Sequence, residues 1–83
     1  MPDNNRRISL SEMAAGEAAI ILAFQGGKVV NNRLASLGFT PGVTVSMTQN
    51  YGRGPLIVTV RGTRVALGRG EAVKIIVERG MDE

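Results

Sequence analysis

N-R-L-A-S-L-G-F-T-P-G-V-T-V, residues 32–45, carries three structural signals in a row. Val30, Leu34 and Leu37 fall at i, i+4 and i+7, one apolar stripe of a helix over residues 28–37. Gly38 stands where a chain leaves such a helix, free to take the positive φ that closes it, and Phe39 just beyond can fold back on the last turn. Thr40-Pro41-Gly42 then fits a type II turn, with proline second and glycine third. From there Val43, Val45 and Met47 alternate with Thr44, Ser46 and Thr48, the pattern of a half-buried strand. A helix of about ten residues is too short to stand alone, so it must dock on what the strands build.

Toward the N-terminus, Ser9-Leu-Ser-Glu12 has capping-box spacing and predicts one helical turn over residues 10–14. Gly16 ends that turn. Residues 17–24 read as a strand that is apolar on both faces, which places it centrally. Gly26-Gly27 leads from it into the helix. Beyond residue 48, N-Y-G-R-G-P (50–55) is a loop of turn formers. A strand over residues 56–61 follows, with Leu56, Val58 and Val60 inward or else Ile57, Thr59 and Arg61, the first set making the better core. Gly62 turns the chain into a strand over residues 63–67, with Val65 and Leu67 inward. Residues 68–72 predict one helical turn, and residues 74–78 a last strand with Ile75 and Val77 on one face. The expectation is a mostly β fold, a small closed or nearly closed barrel of about five strands with one inserted short α-helix. Residues 8–78 form the domain. Residues 1–7 are a flexible lead and residues 79–83 a flexible tail.

The chain is 83 residues long, enough for one domain. It has no Cys and no His. That excludes disulfides, thiolate metal sites and the usual general base near neutral pH. Its seven acids are not forced into pairs by their spacing, and Ser9, Ser11, Ser36 and Ser46 lack a partner base, so the expectation is no enzyme. Any divalent metal should bind weakly, through solvated carboxylates such as Glu71 and Glu78 or between two chains in a weak homo-oligomer. Met1, Met13, Met47 and Met81 read as core or tail. No apolar run reaches the roughly 20 residues of a membrane helix. Met1-Pro-Asp-Asn-Asn-Arg-Arg7 carries charge with no apolar run behind it, unlike a secretory signal.

Ten basic residues against seven acidic give a net charge of +3. The arginines are scattered, at 6, 7, 33, 53, 61, 64, 69 and 79, and read as a solvated surface. The alternative is a small basic β-barrel that binds nucleic acid. Such barrels use aromatic platforms, and only Phe24, Phe39 and Tyr51 are available, two of them expected in the core. Gln25-Gly-Gly-Lys28 has some likeness to an anion nest but lacks the Gly-Lys-Ser/Thr of a phosphate loop.

The ordered set of motifs resembles the ferrous iron transport protein A (FeoA) family. L-S-E-M-A-A-G-E (10–17) is similar to its opening, N-R-L-A-S-L-G-F-T-P-G (32–42) to its most recognisable block, and G-P-L (54–56) with V-R-G-T-R-V-A-L (60–67) to its middle strands. E-A-V-K-I-I-V (71–77) is similar to its close, and Gly68 departs from the arginine usual there. The resemblance implies an SH3-like barrel that works in the cytoplasm without a cofactor of its own. Its implied partner is ferrous iron transport protein B, a membrane permease with a GTP-binding domain. The helix is the distinctive addition to such a barrel, and SH3-type barrels read partners with loops beside an aromatic. Candidate partner-binding residues are therefore Arg33, Leu34 and Leu37 on the helix, and Tyr51, Arg53 and Pro55 in the loop.

Overall fold

A computed structural model describes residues 6–79. The expectations for residues 1–5 and 80–83 lie outside the described residues. The elements are β1 (Arg7–Ser9), a 3₁₀ turn (Leu10–Glu12), β2 (Ala18–Phe24), α1 (Lys28–Ser36), β3 (Thr44–Gln49), β4 (Leu56–Val60), β5 (Thr63–Leu67), α2 (Arg69–Ala72) and β6 (Ile75–Arg79). All six strands form one antiparallel sheet in the order β1-β6-β2-β3-β4-β5.

The turns set this order, and the chain chemistry explains each. Leu37 is the helix C-cap. The Gly38 N–H donates to Ala35 O at 3.0 Å and the Phe39 N–H to Leu34 O at 3.0 Å, with Gly38 at φ 102. This is a Schellman closure, and its hydrophobic clasp is Phe39 on Leu34, both buried in one core cluster. The Val43 N–H then donates to Thr40 O at 3.1 Å across Pro41 and Gly42, where Gly42 has φ 92, as a type II turn requires. A two-residue turn, Arg61-Gly62, joins β4 to β5, with Val60 opposite Thr63. Both turn residues have positive φ, 52 and 79, the geometry that matches the twist of a hairpin.

β2 lies between β6 and β3, as its two apolar faces anticipated. Ala19 and Ile21 enter the core, and the register shifts between Ile21 and Ala23. Val45 and Met47 of β3, Leu56, Val58 and Val60 of β4, Leu67 of β5, and Ile75 and Val77 of β6 share that core with Leu10, Met13 and Ala72. Strands far apart in the sheet order meet in one cluster only because the sheet curls round it.

Four local expectations change. There are six strands, because Ile8↔Val77 and its neighbours pair β1 with β6, a partner across the whole chain. Arg7 and Arg79, read as lead and tail, are strand residues. The capping box does not form: no side chain caps the 3₁₀ turn, and the Ser9 hydroxyl meets the Ser11 hydroxyl at 2.6 Å. A single turn of three residues needs only the Met13 N–H to Leu10 O bond, 3.1 Å, to close. Finally, Arg61 leaves the strand and forms the turn.

Candidate partner-binding surface

The helix surface comes first. Val30 and Leu34 face the barrel, and Leu34 is 0% exposed, part of the core. Leu37 was expected beside it. As the C-cap it lies at the rim and is 36% exposed. On the outer side, Val29, Arg33 and Leu37 follow one another at i, i+4 and i+8, and Val29 is 81% exposed. Arg33 Nη1 donates to Glu71 Oε2 of α2. The outer stripe is thus an ion-paired arginine with an apolar residue one turn to either side.

The loop surface is built on Asn50. Its Nδ2 donates to Ser11 O at 3.1 Å and Met13 O at 2.7 Å. Its Oδ1 accepts from the Gly52 N–H at 3.0 Å and from Arg69 Nη2 of α2. One amide therefore ties the 3₁₀ turn, the loop and α2 together. Above this base Tyr51 is 78% exposed, and Arg53 and Pro55 are exposed as well. Gly52 and Gly54 both take positive φ, so the loop turns sharply around Arg53. The sequence marked Asn50 only as a turn former. Its carbonyl partners lie 37 and 39 residues away, and no local pattern announces them.

The six candidate residues come from two elements, the helix and the loop that follows β3. The bridge between them is α2, which reaches Asn50 through Arg69 and Arg33 through Glu71. Leu34 is buried under the helix, where it serves the packing that holds Arg33 and Leu37 in place.

Glu71, expected to be solvated, is half-buried and engaged by Arg33. Glu78 is half-buried on β6, opposite Ile20 of β2 and Arg7 of β1. Among the described residues no three Asp or Glu side chains gather at one point. Glu17 has a structural role: its Oε1 accepts the Ala14 N–H at 2.8 Å and its Oε2 lies 3.5 Å from Arg79. Of the aromatics, Phe39 is buried and Phe24 half-buried against the core. Tyr51 is left as the single exposed ring.

A curled six-stranded antiparallel sheet carrying one docked helix defines a small, mostly β domain. Its family follows from comparison: the FeoA domain model matches residues 8–79, and the chain belongs to that family. A Methanocaldococcus jannaschii protein provisionally designated Fe(2+) transport protein A is 36% identical over 63 residues, which are 76% of each chain. A fusion protein of Porphyromonas gingivalis, Fe(2+) transport protein A joined to Fe(2+) transporter FeoB, is 34% identical over 70 residues, 83% of this chain and 8% of that one. The crystal structure of Stenotrophomonas maltophilia FeoA complexed with zinc, described as a prokaryotic SH3 domain protein, has a TM-score of 0.77 at 33% identity. That match covers 86% of this chain and 89% of the other. The fold is accordingly an SH3-like one.

Proposed function

We propose that this chain is a cytoplasmic accessory protein of ferrous iron uptake that docks on the GTP-binding ferrous iron permease and modulates it. The observation that carries this reading is the Porphyromonas gingivalis fusion, in which a stretch similar to nearly this whole chain is joined to the transporter. A covalent link keeps two domains at high effective concentration, and it supports an association that separate chains must make by affinity. Among the described residues no helix is long and apolar enough to cross a membrane. A membrane location through the permease is consistent with that.

The chain acts by binding and not by catalysis. With no His or Cys in the sequence, it offers neither a base poised near neutral pH nor a thiolate nucleophile. The Stenotrophomonas maltophilia protein was determined with zinc. Here carboxylates are the available donors, and the half-buried Glu71 already serves Arg33, so divalent metal binds weakly. The helix rim at Val29, Arg33 and Leu37, and the loop at Tyr51, Arg53 and Pro55, are the contact surfaces. Each combines an arginine with an exposed apolar or aromatic group, the composition enriched at the centres of interfaces.

The test is a pull-down from native membranes with the full chain as bait. Recovery of the GTP-binding permease supports the reading. Recovery of nucleic acid, or of no permease at all, overturns it.

A further inference from the structure

The turn that joins β4 to β5 holds an arginine where its backbone does not favour one. Arg61 is the one non-glycine residue at positive φ among the described residues, at φ 52. Two-residue turns of this kind favour Asn-Gly, because asparagine tolerates the left-handed region better than a long side chain does. The rest of the surroundings fix the side chain. Arg61 Cδ lies 3.5 Å from the point where a Cβ on Gly38 would stand, so its stem runs across that glycine. Arg61 Nη2 donates to Thr40 Oγ1 at 3.2 Å. A guanidinium has five N–H donors, and this neutral hydroxyl takes one. Neither ion pair of the described residues includes Arg61. The residue is exposed, and Leu37, 36% exposed, directly precedes Gly38.

We propose that Arg61 is a contact residue that receives a carboxylate of the permease's cytoplasmic surface, with Leu37 as the apolar rim beside it. This rests on the docking reading above. The occupant follows from charge and shape. A guanidinium held at its turn, its stem and one nitrogen presents its remaining fork with little freedom left to lose, and the fork matches a carboxylate. Lipid phosphates are held by clusters of several basic residues. Here Arg33, one turn before Leu37, is paired with Glu71, and Arg64, the hairpin's other exposed arginine, stands opposite Thr59 on the face turned away from Val60 and Gly38.

The experiment compares the wild-type chain with Arg61→Asn and Arg61→Lys. The probe is the ferrous iron permease of the same organism in phosphatidylcholine nanodiscs, with empty nanodiscs as control, and thermal unfolding is recorded for each protein. Expected is wild-type binding to permease discs alone and a loss of about tenfold or more in affinity for Arg61→Asn. The Asn variant keeps or raises its Tm, because asparagine suits the turn. Arg61→Lys falls between, since an ammonium keeps the charge without the fork. If Arg61→Asn binds as the wild type does, the contact is refuted and the permease reading stands. If its Tm drops by several degrees, Arg61 is a structural residue and the proposal fails. Equal binding to empty discs also overturns it, and no wild-type binding to the permease overturns both readings together.

Discussion

Leu34 and Leu37 stand three residues apart on one helix and should respond to alanine in opposite ways. Leu34 is 0% exposed and clasps Phe39 at the Schellman closure. Removing it loses the transfer of the leucine and leaves a cavity under a nine-residue helix, about 3 kcal/mol. A domain this small holds on the order of 5 kcal/mol in total. With about 4–8 °C of Tm per kcal/mol at this size, Leu34→Ala should melt roughly 12–24 °C below the wild type. Leu37 is 36% exposed, so its alanine variant loses only part of the burial, about 1 kcal/mol, and melts roughly 4–8 °C lower. Permease binding, measured well below both transitions, should then survive in Leu34→Ala and weaken several-fold in Leu37→Ala. The assay is thermal unfolding by circular dichroism beside a binding titration on the same samples. A Leu34→Ala Tm within about 4 °C of the wild type would refute the anchoring role. Unchanged binding by Leu37→Ala would remove the helix rim from the interface.

Three further outcomes are expected. Asn50→Ala removes an amide that serves two backbone carbonyls, one N–H and Arg69, and should lower stability by about 2–3 kcal/mol in urea titrations. Asn50→Asp should also destabilise, because it sets an acceptor against the Ser11 and Met13 carbonyls. Arg33→Ala and Glu71→Ala, run as a double-mutant cycle, should give a coupling under about 1 kcal/mol, because the arginine of this pair is exposed; a larger value would make the pair a structural lock. The monomer should bind ferrous iron or zinc no tighter than roughly micromolar, since it lacks His and Cys. Nanomolar one-to-one binding in anaerobic calorimetry would contradict that.

Much of the fold was written locally. The Leu-Gly-Phe exit from the helix, the Thr-Pro-Gly turn and the Val/Thr alternation after it act within a few residues, so residue type alone decides them. The inward sets Leu56, Val58, Val60 and Ile75, Val77 were legible for the same reason: a period of two has one buried face. What the tertiary structure alone decided is non-local. β1 is three residues long, too short to show a period, and exists because β6 offers it a partner across the chain. Leu34 and Leu37 carry the same side chain in one stripe, and only the docking angle and the cap separated core from rim. Asn50 became a hub, Glu71 became the mate of Arg33, and Arg61 came to rest on Thr40, each across 19 or more residues. Such pairings are set by how the sheet curls. The curl arises from the packing of the whole core, which no single segment encodes.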